Sequence, residues 1–340
     1  MQTIDVTPAF RDVSGMNPAV GILARQAVGL ACPAEEILSW SVTRILDRDQ
    51  AGVSPFRLLA LVVAGGCGLR LEQAIPVAAI SRVWWAGVET LDDITDGEFD
   101  AARMGMPAAQ AMVASTACLS LIPQKAAQFY ATARLAAAWA RELTDSSLRC
   151  ADGQLRDLVP ANGTVSWQQA MRAYAGKTGA PYGRDAAMAA LTAGLPDDQV
   201  RGWRSFGALF GVLRQLANDR RGDGRADDAD LANGTPTLLL GHAFAQLTEP
   251  GQDRLTRLRQ AAALDPAQRQ RLYAQLTGAD LALGYNRRVD AISGCLATLL
   301  DRLTAVSRYR HLLHWMITAS ADQAKVAPAE PPAAGKEVPA

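Results

Sequence analysis

The sequence predicts an all-α protein, and three observations carry that prediction. The body is rich in Ala, Leu, Arg and Gln, all good helix formers. Apolar residues recur three and four positions apart in most windows. Alternating β-branched stretches, the mark of half-buried strands, are nearly absent.

Periodicity and breakers give the elements in order. Met1 to Arg11 carries no apolar core of signal-peptide type, and residues 1–14 are expected to be flexible. The longest apolar run, Leu58 to Cys67, is well short of the roughly 20 residues of a membrane span, so no integral membrane segment is expected. Ala126–Arg141, Trp203–Ala217 and Val289–Leu303 fit the helical period. Ser166-Trp167-Gln168-Gln169 resembles a capping box that opens a helix. Breakers at Asn17-Pro18, Gly52 to Pro55, Gly97, Gly105 to Pro107, Pro160 to Gly163, Gly194 to Pro196, Gly222 to Gly224 and Asn233 to Pro236 separate about ten helices. No internal repeat is visible. Residues 319–340, rich in Ala, Pro, Glu and Lys, are expected to be disordered. The expected organisation is one helical domain over residues 15–318.

Composition narrows the function. The chain has 340 residues, 49% of them hydrophobic, enough for one large core. Its formal net charge of zero argues against a nucleic-acid surface or a polybasic membrane patch. Cys32, Cys67, Cys118, Cys150 and Cys295 are scattered without a CxxC pair, the pattern of reduced thiols in a cytoplasmic protein. His242, His311 and His314 form no metal-ligand pattern with them. No glycine-rich phosphate loop or nucleophile elbow occurs.

The most informative stretch runs from Glu89 to Glu98. Asp92, Asp93 and Asp96 fall at i, i+1 and i+4 and share one helical face. Like charges on one turn repel, so the pattern suits either a solvated helix end or a hard cation. Mg²⁺ uses a few carboxylates together with substrate phosphates, which suggests handling of a diphosphate. Ionising a C–O bond to release diphosphate needs cations on both sides of the leaving group. A second patch, Asn218, Asp219 and Asp223, could face one way at another helix end or form a polar loop. Between the patches lie Lys177 and Thr178, a point charge and a hydroxyl that could meet phosphate. Lys177 alone could equally be a solvated helix lysine. Arg103 could be a second clamp.

These residues resemble the trans-isoprenyl diphosphate synthases, the polyprenyl synthetases. The resemblance covers about residues 40 to 240. Asp92-Asp93-Ile94-Thr95-Asp96 matches the first aspartate-rich motif. Gly153-Gln154 with Asp157 matches the GQxxD element, and Lys177-Thr178 the Lys-Thr pair. Phe206-Gly207, Gly211 and Gln215 match the run into the second acidic motif, which Asn218-Asp219 opens. Asp230-Leu231 and Thr237-Leu238 echo the segment after it. The resemblance implies a class I isoprenoid synthase (terpenoid synthase) helical bundle with a central active-site cavity. It also implies a homodimer and Mg²⁺ held by Asp92, Asp93, Asp96, Asn218, Asp219 and Asp223. Lys177, Arg103 and Gln215 would contact the diphosphate of an allylic substrate. Arg57, Trp85, Val88, Gln154, Thr178 and Phe206 would complete substrate binding.

The departures are as informative as the matches. The family's Gly-Gly-Lys-Arg-x-Arg segment reads Gly52-Val53-Ser54-Pro55-Phe56-Arg57, keeping only the last arginine. Trp85 stands where the family has a histidine, two turns before the first aspartate. The arginine pair after the motif is reduced to a displaced Arg103. The allylic site is therefore expected to be kept and the isopentenyl diphosphate site lost. Three outcomes stay open: transfer of a C15–C20 prenyl group to another acceptor, cyclisation as in terpene synthases, and chain elongation or a non-catalytic subunit role. Trp84, Trp85, Phe99, Tyr174, Trp203, Phe206 and Phe210 could line a cation-stabilising cavity or be core packing. Val88 and Gly87, in place of bulky residues before the first aspartate, leave room for a long tail unless Trp84 closes the pocket.

Overall fold

A computed structural model describes residues 5–48, 55–158, 163–220, 231 and 233–328. The described chain begins with α1 (Thr7–Gly15), α2 (Asn17–Ala31), α3 (Glu36–Asp47), α4 (Leu59–Gly66), α5 (Leu71–Thr95), α6 (Ala101–Met104), α7 (Ala108–Thr116), α8 (Ile122–Tyr130) and α9 (Ala133–Leu158). It continues with α10 (Trp167–Tyr174), α11 (Ala180–Thr192), α12 (Asp197–Asn218), α13 (Leu238–Gln246), α14 (Glu249–Ala262), α15 (Pro266–Leu276), α16 (Ala279–Leu303) and α17 (Arg308–Ala324). Two π-helical turns, Ala117–Leu121 and Ala175–Gly179, join α7 to α8 and α10 to α11. No strand occurs among the described residues.

Helix α11 is the axis of the bundle. Every residue from Pro181 to Ala190 is buried. Its run of Ala and Gly leaves room for α4, α5, α9 and α12 to close around it. Helix α4 is apolar on all sides and is likewise buried, as such a helix must be. The α11–α12 seam is a backbone contact. A Cβ on Gly207 would lie 2.3 Å from the Tyr182 carbonyl oxygen, one on Gly183 would lie 2.9 Å from that of Arg204, and one on Gly211 would lie 2.6 Å from that of Thr178 in the π turn before α11. Only glycine fits at such approaches. Trp139, Trp203, Phe206 and Phe210 fill the core beside this seam.

Several expectations need correction. The helices outnumber the ten expected, because short breaks that carry no Gly or Pro also end helices. Ala126–Arg141 is one such case. Ala131 is extended (φ −129°, ψ 158°), and Thr132 opens a new helix, its carbonyl accepting from Ala136 N at 2.8 Å. The flexible stretch expected over residues 1–14 contains α1, which carries Pro8 in its first turn, buries Ala9 and Val13, and joins α17 through Arg308 and Asp12 at 2.9 Å. The last helix passes residue 318 and continues to Ala324. Asn286 holds the chain beyond it, donating to the Val326 carbonyl at 3.0 Å and accepting from its N–H at 2.9 Å. The capping box at Ser166 forms as expected. Among the described residues no helix is long and apolar enough to cross a membrane.

Candidate active site

The first acidic stretch is the last turn of α5. Gly97, at φ +76°, ends the helix in a Schellman turn: its N–H reaches the Ile94 carbonyl, and Glu98 N reaches the Asp93 carbonyl at 2.8 Å. Asp92, Asp93 and Asp96 therefore sit at the negative end of a long helix, where carboxylates are unfavourable. Cations must offset them. Arg48, after α3, meets Asp93 at 2.7 Å, and Lys177 meets Asp92 at 3.0 Å. Burial pushes the Asp93 carboxyl up despite Arg48. Asp96 is pushed up to about 6 by desolvation and by the neighbouring Asp92 charge.

Lys177 is placed by backbone chemistry. Pro181 has no N–H, so the Lys177 carbonyl loses its helical donor. The chain widens here into the π turn, and the Cys150 thiol on α9 donates to that carbonyl at 3.3 Å. Gly176 and Gly153 let the turn and α9 touch. A Cβ on Gly153 would stand 2.6 Å from the Gly176 carbonyl carbon and closer still to Lys177 N. The contact sets the Gln154 and Asp157 side chains of α9 beside the site. Gln154 Nε2 donates to Asp92 at 2.9 Å, and Asp157 accepts from Lys177 Nζ at 2.7 Å. Burial works against the Lys177 ammonium, but Asp92 and Asp157 outweigh it and hold its pKa above the usual lysine value.

The next residue, Thr178, turns to the other acidic stretch. Its hydroxyl donates to Gln215 Oε1 at 2.5 Å, and Gln215 Nε2 donates to Asp219 at 2.9 Å. Asp219 caps the C-terminus of α12 and also accepts from the Tyr174 hydroxyl. That hydroxyl in turn accepts from Leu238 N at 3.3 Å, tying α13 to the site. Two acidic helix C-termini thus flank one Lys-Thr turn.

Seven of the fifteen expected residues converge, and the others do not. Asp92, Asp93, Gln154, Lys177, Thr178, Gln215 and Asp219 form the network above. Asp96 is exposed on the same turn, and Asn218 is exposed at the end of α12. Asp223 lies outside the described residues, as do Ser54 and Asp230. Arg103 is not brought in. It is exposed on α6, where its N–H bonds Asp100 and its carbonyl accepts from Arg44. Phe206 is fully buried between Trp203 and Phe210, a packing role instead of a substrate contact. Arg57 pairs with Glu89. Val88 is half-buried on α5. Gly87 opens no space, since a Cβ there would meet the Cys118 Cβ at 2.5 Å. Trp84 points into the core and donates to Ser147 at 3.1 Å. Trp85, Tyr182 and Phe210 form an aromatic run with centroids 5.1 and 5.6 Å apart in sequence; Tyr182 and Phe210 are buried, and Trp85 is half-buried. Arg48 was not singled out in the sequence, because nothing in its spacing marks it.

The donor set fits Mg²⁺. Hard carboxylate oxygens sit at two helix C-termini; Arg48 and Lys177 balance those of α5, and Tyr174 and Gln215 donate to Asp219 at the end of α12. Among the described residues no group of three acidic side chains, histidines or cysteines is already gathered to ligand distance.

A helical bundle with this paired arrangement has the architecture of an isoprenoid synthase. Residues 57–276 match the sequence profile of the polyprenyl synthetase family, and the chain belongs to that family. The fold is similar to a polyprenyl synthetase from Streptomyces coelicolor A3(2), at 20% identity and a TM-score of 0.75, covering 95% of this chain and 100% of that one. It is also similar to a decaprenyl diphosphate synthase from Rhodobacter capsulatus (15% identity, 94% and 100% covered, TM-score 0.77). A polyprenyl synthase from Caulobacter crescentus CB15, complexed with calcium and isoprenyl diphosphate, matches at 16% identity with 96% and 100% covered and a TM-score of 0.75. No curated protein sequence matches the chain.

Proposed function

We propose that this protein ionises an allylic C15–C20 prenyl diphosphate with Mg²⁺ and transfers the prenyl group to an acceptor other than isopentenyl diphosphate. One observation carries the reading: adjacent residues of a single turn address both acidic stretches, Lys177 through Asp92 and Thr178 through Gln215 to Asp219. A diphosphate lying across that turn would meet an ammonium, a hydroxyl and two carboxylate-rich helix ends.

Asp92, Asp93 and Asp96 on one side and Asn218 and Asp219 on the other would hold Mg²⁺. The ion, when bound, neutralises the departing diphosphate. Lys177, displaced from Asp92, then turns its ammonium to the leaving group while Asp157 keeps it oriented. Thr178 offers its hydroxyl to a phosphate oxygen. The C1–O bond breaks with its electron pair on the diphosphate. Trp85, half-buried and backed by Tyr182, would offer the resulting cation an aromatic surface. Exposed apolar side chains on α7 and α8, among them Met112, Val113 and Phe129, support a homodimer.

An aromatic surface at Trp85 favours cyclisation as a second reading. Chain elongation, the activity named for the decaprenyl diphosphate synthase, is a third. Purified protein with Mg²⁺ and farnesyl or geranylgeranyl diphosphate separates them. Diphosphate release that waits for an added acceptor supports transfer, volatile hydrocarbon without one supports cyclisation, and longer diphosphates with isopentenyl diphosphate support elongation. Asp92→Asn is expected to slow release at least a hundredfold. Equal rates in parent and variant would sink the reading.

A further inference from the structure

The first acidic stretch has a guanidinium, but not the one its spacing suggested. Arg103 is exposed on α6. Arg48, the residue that closes α3, instead puts Nη2 2.7 Å from Asp93 Oδ2. Lys177, from the π turn before α11, meets the neighbouring Asp92 at 3.0 Å. Adjacent carboxylates of α5 thus carry one cation each. The two cations are held differently. Lys177 has a second carboxylate, Asp157 at 2.7 Å, that keeps it in the site whatever happens at Asp92. Among the described residues Arg48 has Asp93 alone. Its fork carries five N–H donors, more than one carboxylate can use.

The surroundings of Arg48 press it toward an anion. It lines a pocket of about 40 Å³ between α2, α3 and α5, whose charged residues among those described are Arg48, Arg57, Arg82 and Glu89. Ligand pockets run to about 300 Å³ or more, so this one takes no second substrate. Its charge is what matters. Glu89 pairs with Arg57, and Arg82 donates to Asn17 at 3.2 Å. Three guanidiniums share the space with one carboxylate, and like charges at close range repel. Asp93 draws Arg48 away from this group, and a metal ion that claimed Asp93 would end that hold. Mg²⁺ binds oxygen at about 2.0–2.1 Å, so a phosphate oxygen sharing the ion with Asp93 would lie within about 4 Å of the carboxylate oxygen that Arg48 now contacts. Rotation of a long side chain covers that distance. A planar fork meets two phosphate oxygens at once, which an ammonium does not.

We propose that Arg48 is a diphosphate-binding residue with two positions: on Asp93 before the ligands arrive, and on the diphosphate once Mg²⁺ takes Asp93. The proposal rests on the diphosphate reading of the site and adds to it a residue from a separate helix. The two positions act in opposite senses on the two ligands. Before binding, Arg48 competes with the metal for Asp93. In the complex, it helps the metal hold the diphosphate. A counter-ion that only neutralised Asp93 would compete with the metal and give the diphosphate nothing.

The test measures binding to the full chain, apart from turnover. Mn²⁺ alone is titrated and followed by electron paramagnetic resonance, and inorganic diphosphate is titrated at saturating Mg²⁺ by calorimetry. Arg48→Gln should bind Mn²⁺ at least twofold more tightly than the parent and diphosphate at least tenfold more weakly. Arg48→Lys keeps the charge and loses the fork. It should bind Mn²⁺ within twofold of the parent and diphosphate at least threefold more weakly, and it decides the matter if Arg48→Gln does not fold. Arg103→Gln should stay within twofold on both. Diphosphate affinity close to the parent's in either Arg48 variant, Mn²⁺ affinity that does not rise in Arg48→Gln, or an equal effect from Arg103→Gln would each overturn the proposal. A parent that binds no diphosphate overturns the prenyl diphosphate reading as well, whereas parent binding that Arg48→Gln leaves intact removes the role of Arg48 alone.

Discussion

Replacing Lys177 by Met tests whether α5 and α9 are held together at the site by one ammonium. Lys177 is 17% exposed and bridges Asp157 (14%) at 2.7 Å and Asp92 (36%) at 3.0 Å. Breaking a buried pair by removing one partner costs about 3–5 kcal/mol, because the stranded charge stays buried. Asp92 keeps part of its water, which lowers the expected loss to roughly 2–3 kcal/mol. Urea unfolding followed by circular dichroism measures it. The sign with pH follows from the raised folded pKa of Lys177. Its contribution is complete below the unfolded lysine value of about 10.4 and fades only as pH climbs through the folded one, so the loss should be the same at pH 7 and 9. Mg²⁺ should stabilise the variant more than the parent, since two carboxylates have lost their counter-charge. Stability within about 0.5 kcal/mol of the parent, with no added response to Mg²⁺, would refute the bridge.

Two further outcomes are expected. Gly153→Ala drives a methyl into the Gly176–Lys177 backbone and should cost about 3 kcal/mol or abolish folding, whereas Gly29→Ala, with nothing within 4 Å of the new Cβ, should be neutral or stabilise by up to about 1 kcal/mol in the same urea assay. Alkylation at pH 8 followed by peptide mass spectrometry should label the exposed Cys295 first, because burial pushes the thiols of Cys67 and Cys118 up to about 12 and that of Cys150 up to about 11. Rapid labelling of Cys118 would contradict the packing around it.

The parts of the site that could be read from the chain are those with local spacing. Asp92, Asp93 and Asp96 share a helical face, Gln154 lies three residues before Asp157, and Lys177 is next to Thr178. Each pair is fixed by one turn of backbone. The partners across the bundle carry no such signal. Arg48 reaches Asp93, Tyr174 reaches Asp219, and Trp85 reaches Asp185 a hundred residues on, all through packing that no period encodes. Arg103 shows the converse error. Its position near the motif suggested a clamp, but the four-residue α6 turns it to solvent. Phe206 failed for a related reason: helical phase alone does not tell a core ring from a cavity ring, and Trp203 and Phe210 claim it. Gly87 suggested empty space and instead marks a close crossing.

The glycine-to-backbone seam between α11 and α12 has no side-chain cushion that could be thinned or thickened by substitution. Distances measured across it, from the lysine-threonine turn to the far acidic helix end, are set by main chain and resist drift. Diversification of this protein toward a new partner molecule is thereby confined to the opposite bank, where α2, α3 and α5 meet through exchangeable side chains.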